Sequence, residues 1–460
     1  MNRVALLLLL GVSASQASFK LELFKRNSPL QETSDSFLHF PLKQDNQMMK
    51  DVRDMGSSEL LASVSFGKQK NLGQLSVSTS SDFTAINQLT CDACKNKIYD
   101  ESQGQNIKKD QTIELGNLEG FGDLVLDDVS FIPDKTKPTN TIDAEIQFLA
   151  LSKPLTNKVT QKTLPDTDGV LGLGFNNDQK QSFIQYASPL DKKKFSIFLN
   201  KTYSALSMGS FDNSFLADGE ENQGYGWHTF DLTQKDSWTV EMQDARYIYM
   251  TFLKSGANKA RISTNDEYIY IPNDDFSALK DAWKGKSADI KCPSDLNFCF
   301  INQTCQEISH TIGPFKIQFS TNEYFSVESD EFTYNGKDFG PYYENQCVFG
   351  VMSSELATKN NEFILGQAFL RNYLTGFDVD KKTISFGIHQ NSTAAVRKTF
   401  SGGIIALLAI STALFFPLFV LGIYFLIQFL KRGRRQREKE AREQEKKRLM
   451  SDLDRSAESQ

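Results

Sequence analysis

Short apolar or alternating runs dominate the chain between Leu60 and Ile388. Residues 62–66, 124–131, 195–199, 269–271 and 384–388 are examples, and turn residues separate them. Runs of this length, bounded by Gly, Asn, Asp, Pro and Ser, predict short strands and a mostly β architecture. A few helices are expected, one of them over residues 274–283. Near the start, Phe19-Lys20-Leu21-Glu22-Leu23 alternates strictly, which predicts a further strand. The chain is then polar and irregular to Gly56.

Two longer apolar runs depart from this pattern. Residues 4–12 follow Arg3 and precede Ser15-Gln16-Ala17, the order of a secretory leader cleaved after residue 17. Residues 402–430 carry no charge, and a helix over 403–430 is long enough to cross the ~30 Å hydrocarbon core. Pro417 can kink such a helix without preventing the crossing. Lys431, Arg432, Arg434, Arg435 and Arg437 follow at once, and positive charge favours the cytosolic side. The expectation is a single-pass type I membrane protein with a short linker over 391–402 and a charged cytosolic tail over 431–460. A glycolipid-anchor signal is disfavoured, because its apolar tail would not be followed by such a charged stretch. The body then faces the lumen of the secretory or endolysosomal pathway, or the cell exterior.

Composition adds little against this. The net charge of -6 is spread over 460 residues and gives no reason to expect nucleic acid as a partner. All six cysteines, Cys91, Cys94, Cys292, Cys299, Cys305 and Cys347, fall in the expected lumenal part. An even count there points to disulfides. Acceptor sequons at Asn200, Asn302 and Asn391 lie on the same side of the apolar run.

An internal repeat is the most informative feature. Val77-Ser78-Thr79-Ser80-Ser81-Asp82 is echoed by Ile262-Ser263-Thr264-Asn265-Asp266-Glu267. Downstream of the first copy comes Gly169-Val170-Leu171-Gly172, and downstream of the second Phe363-Ile364-Leu365-Gly366. Each downstream copy is an apolar pair closed by glycine, which permits close backbone approach. Two related lobes are implied.

On these residues the chain resembles the pepsin-like aspartic proteases, a bilobal, mostly β family. Each lobe of that family has an Asp-Thr-Gly loop with an apolar-apolar-Gly segment packed beneath it. The segments beginning at Asp168 and at Phe363 are similar to the family's two, and Phe377-Asp378 is similar to its closing strand. Residues 195–199 and 208–212 resemble the crossover between lobes, and Trp238-Thr239-Val240 an early strand of the second lobe. The resemblance covers roughly residues 60 to 390 and implies a first lobe over 58–200 and a second over 201–390. It also implies disulfides Cys91–Cys94 and Cys305–Cys347, leaving Cys292 and Cys299 as an extra pair. Residues 18–57 are then a propeptide-like segment or an additional strand of the mature body; both readings stay open. A monomer is expected.

The resemblance breaks at the catalytic loops. Ser78-Thr79-Ser80 stands at the first Asp-Thr-Gly position and Ser263-Thr264-Asn265 at the second, so both aspartates and both glycines are replaced. Sliding the alignment to Asp82 or Asp266 does not restore the Thr-Gly turn. Leu115, before Gly116-Asn117, stands where the family's flap tyrosine would be. In the family two close carboxylates share one proton, one acting as base on water and the other as acid. A serine hydroxyl does not ionise near neutral pH. Each lost proton-transfer role typically costs ~10²–10⁴-fold. The expectation is therefore an inactive relative whose cleft holds a peptide or protein segment. An active endopeptidase with an unusual site and a plain surface scaffold are the alternatives.

Other constellations carry less. Gly172-Leu173-Gly174 lacks the spacing and setting of a dinucleotide loop. Cys91-Asp92-Ala93-Cys94 lacks the thioredoxin-like pattern of a redox pair. His39, His228, His310 and His389 show no metal spacing, so no cofactor and no metal are expected. Lipid binding by the basic flank is secondary to its role in topology.

Overall fold

The computed structural model describes residues 19–26, most of 59–398 and parts of 421–448. Residues 1–18, which include the expected leader 1–17, and residues 27–58 and 399–420 lie outside the described residues. The described residues up to 398 form one compact unit, and those from 421 form a second.

The internal repeat is a repeat of strand pairing. In the first half, residues 170–172 run parallel to 76–78 and residues 169–170 antiparallel to 85–86. Residues 85–87 in turn run parallel to 149–151. The second half repeats each step: 363–365 parallel to 260–262, 364–365 antiparallel to 269–270, and 269–271 parallel to 351–353. The closing glycines explain why this arrangement needs its sequence. A Cβ on Gly172 would lie 2.4 Å from the Phe83 carbonyl oxygen. One on Gly366 would lie 2.1 Å from the Tyr268 carbonyl and 2.3 Å from that of Asp266. In each half the glycine lets the segment slide under the loop that follows the Ser-Thr pair.

One sheet joins the halves. Its strands run from Trp227–Asp231 through Thr383–Ile388, Tyr373–Asp378, Lys194–Leu199 and Ser204–Met208 to Phe19–Arg26, and continue into Glu59–Phe66. Phe19–Arg26 is thus an internal strand. Its residues 19–23 pair antiparallel with 204–208, and its residues 24–26 pair antiparallel with 59–61. Trp238 is fully buried against Phe175, Phe195 and Phe377, and its Nε1 donates to the Leu173 carbonyl at 2.8 Å. An aromatic ring with a satisfied polar atom fills this junction at little electrostatic cost.

The disulfides are Cys91–Cys94, Cys292–Cys299 and Cys305–Cys347. The expected helix spans Asn273–Lys286. The expected linker begins as part of the body. Ala394 and Val396 are buried, and Val396–Lys398 pairs with residues 323–325, because two apolar side chains there find cover. Among the described residues no helix is long and apolar enough to cross a membrane. The described residues from 421 to 448 are helical, with Leu421, Tyr424, Leu426, Phe429 and Leu430 exposed.

Gly366→Ala should be strongly destabilising, by about 2 kcal/mol or more, because backbone must shift. Gly285, near the end of the helix, has open space around its Cβ position. Gly285→Ala should instead be neutral or stabilising by up to ~1 kcal/mol. Urea unfolding of the two variants checks both.

Candidate functional site

Two strands end at the interface of the halves. Asn71–Ser78 delivers Ser78 and Thr79, and Lys259–Ile262 delivers Ser263 and Thr264. All four residues are buried. The Thr79 N–H donates to Thr264 Oγ1 at 3.0 Å, and the Thr264 N–H donates to Thr79 Oγ1 at 3.1 Å. The hydroxyls then donate outward: Thr79 Oγ1 to the Ile262 carbonyl at 3.1 Å, and Thr264 Oγ1 to the Val77 carbonyl at 2.7 Å. Each threonine thereby satisfies a buried donor and a buried acceptor of the opposite half. Buried backbone groups require such partners.

This clasp sets where the serines stand. Ser78 Oγ accepts from the Ser81 N–H at 2.9 Å, within its own loop. The hydroxyl that reaches the other half belongs to Ser80, which donates to Ser263 Oγ at 2.9 Å. Ser263 Oγ in turn donates to Asp266 Oδ2 at 2.6 Å. Arg261 Nη1 donates to Ser80 Oγ at 3.2 Å, while its Nε donates to Glu362 Oε1 at 3.0 Å. A single polar chain runs from Glu362 through Arg261, Ser80 and Ser263 to Asp266. Such chains polarise one another in a low-dielectric setting. Asn265 Nδ2 reaches Ser76 Oγ at 3.3 Å, and its Oδ1 is buried without a hydrogen-bond partner among the described residues.

Burial raises the pKa of the Asp266 carboxyl above its ordinary value. The Arg261 charge and the Ser263 hydrogen bond act the other way. The site therefore holds hydroxyls, one guanidinium and a carboxyl whose pKa burial raises.

A long hairpin, Gln105–Leu115 and Leu118–Phe131, ends over this floor. Gly116, in its turn, has a φ of +69°, which suits glycine. A Cβ there would lie 3.0 Å from Ser80 Cβ and 3.2 Å from the Ser80 carbonyl oxygen, so the hairpin tip rests on the first loop. Leu115 is buried in an apolar cluster with Leu149, Leu151, Leu155 and Val170.

Among the other candidate residues, Asn302 and Asn391 are exposed and Asn200 is half-buried. Gly172 and Gly174 pack beneath the first loop, where the Gly174 N–H donates to the Ser81 carbonyl at 2.6 Å, so this glycine pair serves backbone packing. His389 is buried; its Nε2 is 2.7 Å from the Arg371 carbonyl and its Nδ1 accepts from the Asn391 N–H at 3.2 Å. His228 pairs with Glu323 at 2.7 Å, and His39 lies outside the described residues.

The model of the eukaryotic aspartyl protease family matches residues 46–389. The chain belongs to this family. Plasmepsin VII of Plasmodium berghei (strain Anka) is similar to it, 24% identical over 396 residues that cover 76% of this chain and 79% of the relative. The family match over residues 46–389 spans both halves of the clasp and the hairpin above it.

Sequence reasoning considered Asp266 only as a misplaced catalytic aspartate and overlooked Arg261 and Glu362. The signal for Asp266 was its place three residues after Ser263, within reach of a side chain in the same turn. Arg261 and Glu362 are far apart in sequence and had no comparable signal.

Thr79→Val leaves the Thr264 N–H and the Ile262 carbonyl without partners, and Thr264→Val does the same to the Thr79 N–H and the Val77 carbonyl. Each orphaned group costs about 1–3 kcal/mol. The two variants should lose similar stability in urea unfolding. Asp266→Asn tests the carboxyl. A raised folded-state pKa means the folded protein binds more protons between the unfolded and folded values. The Asp266 contribution is therefore present below the ordinary value of 3.8 and is lost as pH rises through the folded value. Thermal melts across acid and neutral pH should show wild type losing stability relative to Asp266→Asn over that window.

Proposed function

We propose that this protein is an inactive relative within the aspartyl protease family, which binds an extended peptide or protein segment between its lobes. The observation that carries this reading is the placement of hydroxyls at the head of both threonine-clasped loops. Ser78 and Ser263 directly precede the clasped threonines, the positions at which the family's aspartates stand. Ser80 and Asn265 follow those threonines, where the family has glycine. The dyad chemistry needs two carboxylates sharing a proton, one as base and one as acid. Asp266 supplies one carboxyl only, already bound to Ser263, and a single group cannot fill both roles in one step. Without the dyad, hydrolysis should fall to near background. Affinity would come from backbone pairing along the cleft, with the hairpin that rests on Ser80 lifting to admit the ligand.

The same reading places the body on the lumenal or exterior side, with residues 403–430 crossing the membrane and 431–460 in the cytosol. The uncharged run and its basic flank support this. A tag after Gln460 should be digested from the cytosolic side of sealed membranes.

A second reading, an active endopeptidase, is favoured by one contact: the Asp266 carboxyl lies 2.6 Å from Ser263 Oγ. A broad peptide library incubated with wild type at acid and neutral pH separates the two. No cleavage above background is expected. Cleavage that disappears in both Asp266→Asn and Ser78→Ala/Ser263→Ala would establish the enzyme and remove the binding proposal.

A further inference from the structure

A polar cavity of about 370 Å³ opens beside the site floor, lined by Gln234, Asp236, Ser237, Arg261, Asn360 and Glu362. Its size is at the small end of the ~300–1,000 Å³ usual for ligand pockets. It is joined to the loops by Arg261, which stands two residues before Ser263 and reaches both Glu362 and Ser80. We propose that this cavity selects a basic side chain, lysine or arginine, in the segment bound at the interlobe site. The proposal rests on the reading that the site binds an extended segment.

The charges decide the class of group. The Arg261 and Glu362 side chains are 14% and 4% exposed and paired at 3.0 Å, so they largely cancel. Asp236 is exposed at the rim and leaves the cavity with one net negative charge. An acidic side chain entering would meet the Asp236 carboxylate, a like-charge contact. An apolar one would desolvate a mostly polar lining without replacing its hydrogen bonds. A cation gains Asp236 at the rim, and the lining also holds Gln234 and Ser237, joined by the Ser237 Oγ donation to Gln234 Oε1 at 2.7 Å. The paired Arg261 keeps its contact with Ser80, so filling the cavity need not disturb the clasped loops.

The test uses the full-length chain in detergent and fluorescein-labelled extended peptides of one fixed sequence. Each position is varied in turn among lysine, norleucine and glutamate, and affinity is read by fluorescence anisotropy. At one position lysine should bind about three- to five-fold tighter than norleucine, the gain expected of one partly exposed ion pair, and glutamate more weakly than either. The preference should shrink as salt is raised. Asp236→Asn should abolish it, bringing the ratio of lysine to norleucine affinity to about one. Peptides that bind with no lysine preference, or with one that Asp236→Asn leaves intact, overturn the assignment while the interlobe binding site stands. If no peptide binds at any position or pH, the binding reading itself falls and the assignment with it.

Discussion

The reciprocal exchange between Thr79 and Thr264 is the constraint on which the rest of the site depends. Each threonine supplies the acceptor for the other's buried N–H and a donor to a carbonyl two residues before its partner. The two loops cannot be displaced independently without orphaning buried backbone groups. Everything placed on those loops, including Ser78, Ser80, Ser263 and Asp266, inherits its position from this exchange. The glycines at 172 and 366 serve the same end from below. They admit a parallel strand under each loop at distances that a Cβ would forbid.

Electrostatics at the interface follow from what the clasp holds. Two ionised carboxylates brought together would repel, and a shared proton relieves that repulsion. Hydroxyls need no such arrangement, and here they form a directed chain. Arg261 donates to Ser80, Ser80 to Ser263 and Ser263 to Asp266, while Glu362 balances the guanidinium. The added Ser80 side chain is what makes the chain continuous. A glycine there would leave Arg261 and Ser263 without their common partner. It is also the surface on which the Gly116 turn rests, so one residue ties together the first loop, the second loop and the hairpin.

The sheet that joins the halves takes in the N-terminal segment. Phe19–Arg26 links two strands, pairing through residues 19–23 with 204–208 and through residues 24–26 with 59–61. Its removal would expose two rows of backbone donors and acceptors.

Much of this was legible in the chain itself. Period-two alternation marked the strands, and the repeated Ser-Thr and apolar-apolar-Gly segments marked the pseudo-symmetry, since each is a local pattern with a local cause. That the two loops carry Ser78-Thr79-Ser80 and Ser263-Thr264-Asn265 was also visible, because residue type is a property of sequence alone. What those serines touch was not. Ser263 meets Ser80 and Asp266, and Ser78 turns into its own loop, because side-chain direction depends on how the two halves dock. Arg261 and Glu362 are separated by a hundred residues and became partners only when residues 260–262 and 363–365 paired side by side. Sequence determined which chemical groups the two loops carry; tertiary structure decided which of them meet, because hydrogen bonds are set by distance and angle across the interface and not by order along the chain.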